Sequence, residues 1–131
     1  MVSPSSEELI SGKACKARAI ALATNAEPAN VDFVLNGAAI RSFFSVIVDG
    51  TQVAHAKPAP DVYLRAAELL GVGPANCIVF EDSRVGVAAA RAAGMRVVGV
   101  LTHEPLDRVD YSLRDFRDSG LDAWLAEQRA Y

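Results

Sequence analysis

Four short runs of apolar residues, each closed by polar or turn-forming residues, constrain this chain more than any other feature. They are Ala19–Ala23, Phe43–Val48, Cys77–Phe80 and Val97–Leu101. Apart from Ser45 in the second, each is apolar throughout instead of alternating, which is the pattern of a strand covered on both faces. Helical periodicity fills the intervals. Val31, Val34, Leu35 and Ala38 fall at i, i+3, i+4 and i+7 behind Pro28, while Val62, Ala66, Leu69 and Leu70 follow Pro58 and Pro60 and stop at Gly71. Val85 to Ala93 is an Ala-rich helix stopped by Gly94. Tyr111–Phe116 predicts a short last strand, Leu121–Gln128 a last helix, and the Ser5/Glu8 spacing a capping box for a first one. Strands separated by helices predict an α/β fold with a parallel, doubly wound sheet. No repeat or linker divides the chain, so residues 1–131 are expected to form a single domain.

Composition narrows the function classes. Thirteen Lys and Arg against sixteen Asp and Glu give a net charge of −3, which supplies no basic face for nucleic acid. No apolar run reaches the roughly 18 residues of a membrane span, and the first residues lack the apolar stretch of a signal peptide. Two cysteines, Cys15 and Cys77, make no disulfide framework and fit the cytoplasm. Neither nucleic acid nor membrane is an expected partner.

In an open α/β sheet a ligand binds beyond the carboxyl ends of the strands, beside helix N-termini. Three polar clusters lie at such positions. Thr24-Asn25 offers a hydroxyl and an amide next to a helix start, suited either to a phosphate or to plain N-capping. Lys57 precedes Pro58, which restricts its backbone to extended conformations; it is one of three lysines beside ten arginines. It is either a solvated surface lysine or a point charge for an anion. Glu81-Asp82 closes a buried strand and offers oxygen ligands for Mg²⁺, although Asp82 or Ser83 equally suits an N-cap. Gly86 and the alanines after it keep the following helix slim for close packing. His55 and His103 stand apart from any second metal ligand, Cys77 reads as a small core residue, and Trp124 as packing for the last helix.

Taken in order, the strings ALATN, DGTQVAHAKPAPDVYLRAAELLGV and IVFEDSRVGVAAARAAGMRVVGV resemble motifs two, three and four of the haloacid dehalogenase (HAD) superfamily of phosphohydrolases. They resemble especially the subgroup containing β-phosphoglucomutase and phosphoglycolate phosphatase, and the resemblance runs from about Ala19 to Thr102. The resemblance implies a three-layer α/β/α Rossmann-like core and phosphoryl transfer from a small phosphorylated metabolite through an aspartyl-phosphate. It assigns Thr24 and Asn25 to the phosphoryl oxygens, Lys57 to neutralising nucleophile and phosphate, and Glu81 and Asp82 to Mg²⁺. A flavodoxin-like receiver domain is disfavoured by the absence of an acidic pocket near the N-terminus.

One departure from the family pattern is large. The nucleophile motif, Asp-x-Asp after a first apolar strand, belongs upstream of ALATN, yet no Asp occurs between Met1 and Ile20. Val48-Asp49-Gly50-Thr51 does not supply it, because the first Asp of the pair would fall on Ile47. The nucleophile is therefore assigned to no residue, and there is no room for the helical cap. The resemblance implies an incomplete core that lacks its first, central strand, with two interior edges left unpaired. The expectation is that these edges close on each other, or that an oligomer or complementing fragment fills the slot. Mg²⁺ should bind weakly or not at all. The chain then reads either as part of a Mg²⁺-dependent phosphatase or phosphomutase, inactive alone, or as an inactive phosphate-binding or interaction module.

Overall fold

The computed structural model describes residues 2–4, 18–101 and 105–128. The Ser5/Glu8 capping box, Cys15 and His103 lie outside the described residues. Six strands form one sheet in the order β3-β2-β1-β4-β5-β6. They are β1 (Val2–Pro4), β2 (Arg18–Ala23), β3 (Val46–Val48), β4 (Ile78–Glu81), β5 (Arg96–Val100) and β6 (Tyr111–Leu113). The helices are α1 (Pro28–Gly37), α2 (Asp61–Leu70), α3 (Arg84–Ala92) and α4 (Gly120–Gln128).

The apolar runs become strands because both sheet faces are covered. Along β4 and β5, alternate residues enter opposite cores, as the two-residue period of a strand requires. Val79 and Val97 pack with Val62, Ala66, Ala67, Val87, Ala89 and Ala90 beneath α2 and α3. Ile78 and Val98 point the other way, onto Leu113 and Leu121, with Trp124 stacked 5.5 Å from the Tyr111 ring. Cys77 is fully buried in the first of these cores. The strand foreseen over Phe43–Val48 is shorter: Arg41–Phe43 forms a 3-10 turn with Phe43 exposed, and pairing with β2 begins at Val46.

The slot that the missing central strand leaves between β2 and β4 is covered differently from what was expected. The two interior edges do not close on each other. The chain's own Val2–Pro4 enters between them, pairing Val2 with Ile20, Ser3 with Ala19 and Pro4 with Arg18, and reaching β4 through Val2 and Ile78. This strand runs antiparallel, so the sheet is not wholly parallel; the remaining strand pairs are. Buried backbone donors and acceptors must find partners, and a strand of either direction can satisfy them. β1 fills only the amino-terminal half of the slot. Among the described residues, no strand pairs with Leu22–Ala23 or Val79–Glu81 on that side. The carboxyl ends of β2 and β4, where the chain leaves for opposite flanks, form the topological switch point of the sheet.

Gly71 follows α2 at φ 70°, with open space where a side chain would project. Gly71→Ala should therefore cost only the left-handed backbone strain, about 1–2 kcal/mol. Urea unfolding checks this; a loss above about 3 kcal/mol would reveal side-chain crowding instead.

Candidate phosphoryl site at the carboxyl ends of β2 and β4

The apolar residues of β4 carry Glu81 to the end of the sheet, where it is 8% exposed and the one buried charged residue among those described. Such a carboxylate needs compensation on every side. Lys57 Nζ lies 2.6 Å from Oε1, and the Tyr63 hydroxyl donates to the same oxygen. The Ser83 hydroxyl reaches Oε2 at 3.2 Å, with the Ser83 amide 3.4 Å from it. The Lys57 ammonium also sits 4.7 Å from the centroid of the Tyr63 ring, a cation–π distance. Burial alone pushes the Glu81 carboxyl upward, but hydrogen bonds from Lys57 and Tyr63 and the lysine charge hold it below its ordinary value. Burial, followed by the Glu81 charge and hydrogen bond, pushes the Tyr63 phenol far above 10.0.

Local sequence explains the convergence. Ser83 caps α3, its hydroxyl accepting from the Gly86 amide at 3.1 Å, so of the two capping candidates it is Ser83 and not Asp82. Asp82 is left exposed. Gly86 is needed for a reason sharper than general helix packing: a Cβ there would lie 2.0 Å from the Glu81 carboxylate.

Across the slot, neither Thr24 nor Asn25 caps α1, whose N-cap position is Glu27 with no side-chain bond. Thr24 Oγ1 accepts from the Ala26 amide at 3.1 Å, and Asn25 Oδ1 accepts from the Lys57 amide at 3.0 Å. Asn25 thus ties the end of β2 to the loop that presents Lys57, just before the cis Lys57–Pro58 bond. Gly50 abuts the segment after β2, where a Cβ would meet the Asn25 carbonyl oxygen at 2.6 Å. Asp49 spends its carboxylate capping the turn at Gly50–Gln52, by accepting from the Thr51 amide at 2.9 Å. His55 pairs with Asp61 at 3.1 Å.

Asn25, Lys57 and Glu81 are therefore joined in one bonded chain, with Thr24 next to Asn25 and Asp82 next to Glu81. Tyr63 is the member that sequence reasoning passed over. Its signal is an aromatic hydroxyl on the buried face of α2, since a buried tyrosine hydroxyl requires an acceptor.

The carboxylates do not fit a resident Mg²⁺ as they stand. Both Glu81 oxygens already receive donors, Asp82 alone remains open, and no group of three potential ligands occurs among the described residues. A hard cation requires about six oxygen ligands.

A sequence profile of the haloacid dehalogenase-like hydrolase family matches residues 2–94, and the chain belongs to that family. It is 45% identical over 124 residues to protein CbbY of Rhodobacter capsulatus, covering 92% of this chain and 54% of that protein. It is 38% identical over 102 residues to β-phosphoglucomutase of Bacillus subtilis, covering 78% and 45%. Its fold overlays the crystal structure of CbbY from Rhodobacter sphaeroides in complex with phosphate, with a TM-score of 0.70 and 34% identity over 78% of this chain and 48% of that one. The chain thus spans about half the length of these relatives.

Tyr63 gives a pH signature of this arrangement. Above pH 10.0 the unfolded phenol releases its proton while the folded one keeps it, so stability falls as pH rises, by up to about 1.4 kcal/mol per unit. Tyr63→Phe removes that contribution, and its unfolding free energy should decline less steeply than the wild type's above pH 10.0. Equal slopes in urea titrations would contradict the burial of this hydroxyl against Glu81.

Proposed function

We propose that this chain supplies the phosphate-binding side of a phosphoryl-transfer site acting on a small phosphorylated metabolite. The observation that carries the reading is the bonded chain Asn25–Lys57–Glu81 at the switch point. Lys57 would place its ammonium against a phosphoryl oxygen, offsetting charge that grows in the transition state. The Thr24 hydroxyl and the Asn25 amide N–H₂ would donate to the remaining oxygens. Glu81 holds the Lys57 side chain in place at 2.6 Å, and Asp82 stays exposed beside it. The relatives support this chemistry by their names: a phosphoglucomutase, and a CbbY crystallised with phosphate.

The attacking carboxylate is assigned to no described residue, since Asp49 is engaged in its turn and Asp82 holds the place of the fourth family motif. In this reading a strand of another polypeptide, or of a second copy, would occupy the carboxyl half of the slot beyond Val2 and complete the site. Mg²⁺ would likewise need ligands from that strand. A second reading, an inactive phosphate-binding module, is favoured by the engagement of both Glu81 oxygens.

Inorganic phosphate added to the ¹⁵N-labelled chain should shift the amide resonances of Asn25 and Lys57 saturably. The chain alone should release no p-nitrophenol from p-nitrophenyl phosphate. Silence at both amides would refute phosphate binding here, and turnover would refute the absence of a nucleophile.

A further inference from the structure

Two donors meet on one oxygen of the buried carboxylate, and they are not equivalent. Glu81 Oε1 accepts from Lys57 Nζ at 2.6 Å and from the Tyr63 hydroxyl, while Ser83 serves Oε2. The tyrosine donor is fixed. Tyr63 is 2% exposed and belongs to the core cluster that holds Val62, Ala66 and Ala67, so its hydroxyl has no solvent to turn to. The lysine donor is movable. Its backbone amide is tied to Asn25 Oδ1 at 3.0 Å, but its ammonium rides on a flexible four-carbon stem. An oxygen with two donors keeps one when the other leaves.

Phosphate binding at Lys57 requires such a departure, because the ammonium is already engaged with Glu81. Withdrawing it takes the counter-charge from a carboxylate that is 8% exposed, a costly state if the oxygens are left bare. The Tyr63 hydroxyl remains on Oε1 and the Ser83 hydroxyl on Oε2, so neither oxygen is stranded. The Tyr63 ring acts on the other partner. Its centroid lies 4.7 Å from Nζ, an attraction for the ammonium that does not use Glu81.

We propose that Tyr63 is the positioning residue that lets Lys57 be shared between Glu81 and a bound anion. Its hydroxyl keeps Oε1 satisfied while the ammonium turns to the anion; it acts through Glu81 and does not touch the ligand. The anion is the phosphate of the reading above, on which that half of the proposal rests. The exchange of donors on Oε1 stands apart from it.

Two measurements on the full chain test the two halves. In the first, inorganic phosphate is titrated into the ¹⁵N-labelled wild type and into Tyr63→Phe, which removes the hydroxyl and keeps the ring. Half-saturation of the Asn25 and Lys57 amide shifts should need about tenfold more phosphate in the variant, whose bound state leaves Oε1 without a donor. In the second, without phosphate, the urea midpoint is measured for Tyr63→Phe in the wild type and in Lys57→Met. The lost hydroxyl should lower the midpoint about twice as far where Lys57 is absent, whereas a hydroxyl that only packs would cost the same in both. A double variant that fails to fold beside a folded Lys57→Met counts as the larger loss. Equal half-saturation in wild type and Tyr63→Phe, or equal midpoint losses in the two backgrounds, would overturn the proposal. A wild type silent towards phosphate would remove the phosphate reading, and the midpoints would then decide the role of Tyr63.

Discussion

The Glu81 carboxylate, buried at the end of β4 and held by Lys57, is the constraint around which this molecule is organised. A carboxylate at 8% exposure is tolerable only if donors surround it. The donors come from the loop before α2, from α2 itself and from the start of α3. These elements are distant in sequence, so the ion pair fixes the two flanks of the switch point relative to each other. Gly86 belongs to the same constraint, because any side chain there would occupy the space of the carboxylate. Asn25 extends it across the slot by holding the Lys57 backbone.

The arrangement has a chemical consequence. The ammonium that would meet a phosphoryl group is already neutralised at 2.6 Å and rests against the Tyr63 ring. An incoming dianion must therefore share Lys57 with Glu81, and the pair presents little net charge until the ligand arrives. The helix start behind Ser83 and the open Asp82 lie on one side of this pair, Thr24 and Asn25 on the other. Between them runs the carboxyl half of the strand slot, which β1 leaves without a described strand.

Much of the framework was legible from residues alone. Ile78–Phe80 and Val97–Val100 are apolar on both faces because both faces are covered, and the runs expose this directly. Thr24, Asn25, Lys57, Glu81 and Asp82 stand out as candidates by position, at or near strand ends where α/β sheets bind ligands, and the fold joins Asn25, Lys57 and Glu81. What position could not convey was direction. That Asn25 turns its amide oxygen to the Lys57 backbone, or that Glu81 turns inward while Asp82 turns out, depends on contacts between distant segments. Tyr63 was hidden for the same reason: on α2 it reads as one more core aromatic, and only the fold brings its hydroxyl to Glu81. The antiparallel β1 was illegible because Val2–Pro4 carries no strand pattern of its own and is recruited by the edges of β2 and β4.

The organising role of the buried pair is tested most directly by a double-mutant cycle in urea, using Lys57→Met, Glu81→Gln and their combination. Lys57→Met alone strands a buried carboxylate and should cost about 3–5 kcal/mol. The double variant should recover most of that loss, giving a coupling energy above about 2 kcal/mol. A coupling below about 0.5 kcal/mol, the scale of a solvent-exposed ion pair, would contradict the account.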